Sequence, residues 1–311
     1  MSTFAIVFAG QGSQSVGMMR GFAEMPVVQQ TFSEASDILH LDLWKMMGEG
    51  PAEVQNQTIN TQPLMLTAGL ATWRAWQEKG GRIGAFFAGH SLGEYTALVA
   101  AGALNFSDAL ALVRVRAQAM QDAVPDGTGG IAAVLGLDVE QIRVVCEDAA
   151  RGEVLEAVNL NSPGQIVIAG HKSAVVRGMA LALERGAKRA LLLPMSVPSH
   201  CALMKPAADK LAVYLQGVMC AVPATPVVQN ARVAAFGSVA EIKNALFEQL
   251  FRPVRWIETI QHFAAHGVKS VIECVPGKIL TGLNKRIDGS LSCFAVTDVA
   301  SLEAAIAVTN S

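Results

Sequence analysis

A serine flanked by glycines, Gly89-His90-Ser91-Leu92-Gly93, lies between an apolar run that reads as a strand and a stretch that reads as a helix. This is the pattern of a nucleophile elbow. Such a turn forces the serine into an unfavourable backbone conformation, and the flanking glycines avoid collisions with neighbouring strands and helices. The serine oxygen would stand exposed at the carboxyl edge of a sheet. The free N–H groups and positive dipole end of the following helix would then face a developing oxyanion. The same residues also fit a capped helix whose glycines serve only packing, so the motif alone leaves both readings open.

A serine at its ordinary pKa is a poor nucleophile and requires a base within reach. The chain has six histidines. His262 and His266 lie four apart on a helical segment, with no glutamate or third ligand to complete a metal site, and read as a solvated face. His40 and His171 lack supporting context. His90 adjoins the serine, but neighbours on a tight turn point apart. That leaves His200, in Ser196-Val197-Pro198-Ser199-His200-Cys201, on a connection of the kind that mounts catalytic groups.

One arginine breaks the pattern of its helix. Over Ala109 to Val124, Leu112, Val113, Arg116 and Met120 share a face by their three- and four-residue spacing. Arg116 therefore either snorkels to solvent or presents a partly buried guanidinium to a carboxylate, which it could hold bidentately. The loop Gly10-Gln11-Gly12-Ser13-Gln14 follows the first strand. Its glycine spacing does not match a dinucleotide cradle, but it leaves a strand edge that could neighbour the elbow and supply oxyanion N–H groups.

The elements that must carry these residues alternate strand and helix. Phe4 to Phe8 and Gly84 to Ala88 read as buried strands, and Ser107-Asp108 caps the helix bearing Arg116. The next seventy residues change rhythm. Strands at Ile131–Leu135, Val154–Leu160, Gln165–Ala169 and Ala190–Leu193 alternate with helices at Val139–Ala150 and Ala174–Arg185. That order, βαββαβ, is a split βαβ of ferredoxin-like type. Helices follow at Leu203–Leu215 and from Pro253 through Phe263, with strands at Val227-Val228, Ser270–Cys274 and Phe294–Val296. The expectation is an α/β fold. Residues 1–126 and 196–311 form a large domain with a mainly parallel sheet, and 127–195 form an inserted ferredoxin-like subdomain.

Composition narrows the function classes. A net charge of −2 lacks the basic excess of a nucleic-acid binder. No apolar run reaches the length of a membrane span, and no basic n-region precedes an apolar core at the start. Five scattered cysteines, odd in number and never paired as C-x-x-C, suit free thiols in a reducing cytosol rather than a zinc site. A cytoplasmic protein with no metal and no cofactor is expected.

Four motifs then stand in order: Gly10-Gln11-Gly12-Ser13-Gln14, Gly89-His90-Ser91-Leu92-Gly93-Glu94-Tyr95, Asn161-Ser162-Pro163-Gly164-Gln165 and Val197-Pro198-Ser199-His200. Together they closely resemble the bacterial malonyl-CoA:acyl carrier protein transacylases of type II fatty acid synthesis, over essentially the whole chain. The resemblance implies an α/β-hydrolase-like large domain and a ferredoxin-like small one, with the active site between them. It implies Ser91 as the acyl-accepting nucleophile, His200 as its base and Arg116 as the clamp on the malonyl carboxylate. The N–H groups of Gln11 and Leu92 would form the oxyanion hole, and the backbone carbonyl of Gln249 would orient the histidine. Malonyl-CoA and acyl carrier protein would be the partners. The carrier is acidic in such families, which makes Lys188, Arg189, Lys285 and Arg286 candidates for a basic patch.

Competing readings remain. A serine hydrolase would place a triad carboxylate between Ser91 and His200 and carry an HGGG-type loop; the loop is absent and no carboxylate there has a persuasive setting. A malonyl-loading subunit of another multienzyme system would need Arg116 equally. A silent scaffold is disfavoured by intact Ser91, His200 and Arg116. Selectivity among dicarboxylic acyl groups depends on pocket shape. Met120, Ser199 and Val197 are candidate walls, with core packing the alternative for Met120.

Overall fold

The structure is a computed structural model that describes residues 3–194 and 197–310. Two sheets organise it. The first contains β1 (Phe4–Phe8), β2 (Phe86–Gly89), β7 (Val227–Val228), β8 (Ser270–Glu273) and β9 (Ser292–Ala295), in the order β7-β2-β1-β8-β9. Every pairing in it is parallel. The central strand, FAIVF, is buried at every position, as a strand covered on both faces must be. Sixteen of the 21 residues of the helix Thr58–Glu78 are buried too, including the unbroken run Thr61–Trp73.

The second sheet contains β3 (Gly129–Leu135), β4 (Leu155–Ser162), β5 (Gln165–His171) and β6 (Arg189–Leu192), ordered β4-β5-β3-β6 and antiparallel throughout. The helices Val139–Ala150 and Lys172–Glu184 follow β3 and β5, so the chain order is the βαββαβ expected. Alternation along β3 and β5 sorts the residues. Ala132, Val134, Ile166 and Ile168 pack with the helix residues Ile142, Val145 and Val175, whereas Ile131, Val167 and Ala169 pack on the opposite face beside Cys201. That opposite face looks towards the first sheet. The segment at Val254 ties the two together: its N–H donates to the Val158 carbonyl at 2.8 Å, and its carbonyl accepts from Leu160 at 2.9 Å.

Some boundaries differ from expectation. The helix carrying Arg116 runs Phe106–Asp122 and is capped by Asn105, whose side chain accepts from the Asp108 N–H at 2.8 Å, not by Ser107-Asp108. The later helix starts at Trp256, with Pro253 in the preceding loop. Pro206 sits in the first turn of Lys205–Gly217, where its missing N–H costs nothing. The expected boundary at 195/196 lies outside the described residues. No helix among the described residues is long and apolar enough to cross a membrane.

Candidate active site

The elbow forms because β1 and β2 run parallel in register, Phe8 opposite Gly89, and the chain turns at His90, whose N–H donates to the Phe8 carbonyl at 2.9 Å. The turn is too tight for side chains on its flanks. A Cβ on Gly89 would fall 1.8 Å from the Gly93 carbonyl carbon, and one on Gly93 would fall 2.0 Å from the Phe8 carbonyl oxygen. Ser91 itself has φ +51°, a left-handed conformation rare for a residue with a side chain. The helix Gly93–Ala100 follows directly.

His200 reaches Ser91 from 109 residues away, with Nε2 2.8 Å from Ser91 Oγ. Its Nδ1 lies 2.7 Å from the Gln249 carbonyl oxygen. A carbonyl can only accept, so Nδ1 carries the proton and Nε2 is left as the acceptor facing the serine hydroxyl. Burial, and secondarily the Arg116 cation, push the imidazole down to about 3 from its ordinary 6.5. The histidine therefore stays neutral at neutral pH.

Arg116 is 1% exposed. Its Nη1 donates to Gln62 Oε1 at 2.9 Å, and its Nη2 donates to Ser91 Oγ and to Gln249 Oε1, each at 3.2 Å. The guanidinium carbon lies 5.4 Å from the Tyr95 ring centroid. Burial opposes the charge, but a guanidinium remains protonated, and among the described residues no carboxylate forms an ion pair with it. Of the two sequence readings, snorkelling to solvent is excluded.

A cleft of about 230 Å³ opens over these groups. One wall contains Gln11, Leu92 and Met120, and the other Ile131, Ala133 and Val167 of the antiparallel sheet. The backbone N–H groups of Gln11 and Leu92 have no hydrogen-bond partner among the described residues. Ser199 also lines the cleft, whereas Val197 borders a separate groove with Thr58 and Asp126. His90 points away from Ser91: its Nε2 lies 2.8 Å from Asn161 Oδ1 and its ring 5.5 Å from that of Trp256. His262 and His266 stack on each other at 4.1 Å and pack on Phe86, remote from the cleft. Among the described residues no cluster of His, Cys, Asp or Glu could hold a metal ion, and all five cysteines are unpaired. Lys188, Arg189, Lys285 and Arg286 are exposed.

Several residues of the site escape sequence reasoning. Gln62 comes from a helix with no legible apolar stripe. The Gln249 side chain donates to the Ser91 carbonyl at 3.0 Å, in addition to the backbone contact expected of it. Asn230 accepts from the Ser91 N–H at 2.7 Å, and Glu94 is fully buried beneath the elbow. Burial raises the Glu94 carboxyl to about 7. The only signals were its place just after the glycine of the elbow and the polar pair Gln229-Asn230 at the end of a strand.

A serine and a neutral imidazole at hydrogen-bond distance, with a buried cation and free backbone N–H groups around them, make a centre for acyl transfer. A family model described as "Acyl transferase domain" matches residues 5–290. The chain is 54% identical over 307 residues to a malonyl CoA-acyl carrier protein transacylase of Salmonella typhimurium, covering 98% of this chain and 99% of the relative. The Bacillus subtilis counterpart is 43% identical, covering 98% and 97%. An acyl-carrier-protein S-malonyltransferase from Burkholderia pseudomallei superimposes with a TM-score of 0.97 at 56% identity, covering 98% of this chain and 99% of the other. So does a malonyl-transacylase solved in complex with its type II PKS acyl-carrier protein, with a TM-score of 0.97 at 52% identity, covering 99% and 100%. The protein is thus an acyltransferase. It belongs to the malonyl CoA-acyl carrier protein transacylase family.

Proposed function

We propose that the protein transfers a malonyl group from malonyl-CoA to the phosphopantetheine thiol of acyl carrier protein through an ester on Ser91. The observation that carries this reading is the convergence of His200 Nε2 and the buried Arg116 Nη2 on one oxygen, Ser91 Oγ, at 2.8 and 3.2 Å. A buried cation that forms no ion pair with a carboxylate among the described residues, one hydrogen bond from Ser91 Oγ, suits an acyl group ending in a carboxylate.

In the first half-reaction Ser91 Oγ attacks the thioester carbonyl while His200 Nε2 takes the hydroxyl proton. The oxyanion is held by the N–H groups of Gln11 and Leu92. The C–S bond breaks, His200 returns the proton, and CoA leaves as the thiol. The carrier's thiol then repeats the sequence on the malonyl ester, regenerating Ser91. The Gln249 carbonyl orients the imidazole. A thiolate is a good leaving group, so a carbonyl in place of a triad carboxylate suffices. The apolar wall of the antiparallel sheet limits entry of water as a competing acceptor.

We read the parallel-sheet part as α/β-hydrolase-like, residues 1–126 and 196–311, and residues 127–195 as an inserted ferredoxin-like subdomain. The order β4-β5-β3-β6 with two helices on one face supports the latter. Unpaired cysteines support a reducing, cytoplasmic setting. The test is steady-state kinetics with malonyl-CoA and holo carrier protein varied together. Parallel double-reciprocal lines and malonyl-carrier product are expected; CoA release that proceeds equally without carrier would make the protein a hydrolase instead.

A further inference from the structure

The elbow's conformation is held from beneath by a polar cluster, Asn230 and Glu94, that does not line the cleft. Asn230 follows β7, the strand paired with β2 on the side opposite β1. Its side chain spans the turn. Oδ1 accepts from the Ser91 N–H and Nδ2 donates to the Gly89 carbonyl, both at 2.7 Å. These contacts bracket His90 and fix the peptide groups on either side of it. Asn230 is fully buried, as is Glu94. Glu94 comes from the first turn of the helix after the elbow. Its Oε2 accepts from the Asn230 N–H at 2.7 Å, and its Oε1 accepts from Gln229 Nε2 at 3.2 Å.

The chemistry of this arrangement is selective. One side chain must offer an acceptor to an N–H and a donor to a C=O across a single residue, which a carboxamide does and a carboxylate of the same shape does not. Ser91 sits at φ +51°, a conformation that persists only where its surroundings over-determine it. Asn230 Oδ1, which accepts from the Ser91 N–H, and Gln249 Nε2, which donates to the Ser91 carbonyl at 3.0 Å, supply that constraint on both sides of the residue.

We propose that Asn230, clamped by Glu94, is a positioning residue that holds the Ser91 peptide in the conformation from which its hydroxyl reacts. The proposal rests on Ser91 being the nucleophile. It separates the cluster's role from packing: loss of Asn230 should slow the chemical step while leaving substrate binding intact, because neither residue lines the cleft.

The experiment measures single-turnover formation of the malonyl ester on Ser91 in Asn230→Asp and Asn230→Ala, with malonyl-CoA affinity measured in the same variants placed on Ser91→Ala. Ester formation is expected to fall about 100-fold, the scale of a nucleophile displaced by about 1 Å, with affinity within about twofold of the parent. Glu94→Gln keeps an acceptor for the Asn230 N–H and should stay within about threefold of wild type, whereas Glu94→Ala should fall with Asn230→Ala. The Glu94 pair reads the same link if the Asn230 variants prove too unstable to assay. Ester formation at the wild-type rate in Asn230→Asp, or a loss confined to affinity, would overturn the proposal. If wild type itself forms no ester on Ser91, the nucleophile assignment fails, and that outcome is distinct from both.

Discussion

Arg116 Nη2 donates to Ser91 Oγ at 3.2 Å, so the buried cation and the nucleophile share a hydrogen bond. In the transfer proposed above, the guanidinium would hold the acyl group's distal carboxylate while the carbonyl carbon lies against the serine. One helix, Phe106–Asp122, brings Arg116 to the turn that carries Ser91.

Arg116→Ala should cost binding of malonyl-CoA on the order of 2–5 kcal/mol, the range for breaking a buried charge pair. That corresponds to a fall in kcat/KM of about 30-fold to several thousand-fold. Acetyl-CoA, which has no distal carboxylate, should lose far less. Arg116→Lys keeps the charge without the fork and should fall between. Equal losses for both thioesters would contradict the assignment.

The pH profile follows from His200. A base is active when neutral, and burial with the Arg116 cation pushes this imidazole down to about 3. The acid limb of kcat/KM for malonyl-CoA, which reports the free enzyme, should therefore lie well below the ordinary histidine value of 6.5. Arg116→Ala removes the second cause and should move the limb upwards, with burial still keeping it low. An inflexion at 6.5 in the wild type would refute this account.

Glu94 predicts a slope in stability. Its folded-state value is raised from 4.5 to about 7, chiefly by burial. Between those values the folded protein keeps a proton that the unfolded chain has released, so stability falls as pH rises through this window. Glu94→Gln lacks that proton equilibrium. Denaturant unfolding between pH 4.5 and 7 should show wild type losing stability relative to Glu94→Gln, and a constant difference would exclude the effect.

Gly93→Ala should fail at the elbow. A Cβ there would lie 2.0 Å from the Phe8 carbonyl oxygen, a backbone atom of the central strand that cannot rotate away. Overpacking of this kind costs typically about 1–3 kcal/mol. The expected result is a lower Tm together with loss of transfer activity, whereas wild-type values for both would mean the turn relaxes.

How much of this was legible in the sequence depended on whether a residue's role was local. The elbow, the βαββαβ order and the helix Val139–Ala150 follow from short-range patterns of glycine, alternation and capping, and all appear as read. Arg116 was legible because an arginine on an apolar stripe is anomalous. The helix Thr58–Glu78 was not, since it is buried on all sides and carries Pro63 inside it, so neither a polar face nor an unbroken pattern marks it. Gln62 was lost with it. Asn230 and Glu94 were missed for another reason: their partners are 139 and 136 residues apart along the chain, and only strand pairing between β2 and β7 brings them together.

Whether Ser91 carries the acyl group is read most directly from the intact mass of the protein after brief mixing with malonyl-CoA, with Ser91→Ala alongside. A single malonyl adduct is expected on the wild type, lost on adding holo carrier protein and never formed on Ser91→Ala. An adduct that persists in Ser91→Ala, or turnover to malonyl-carrier without any adduct on the wild type, would contradict this role of Ser91.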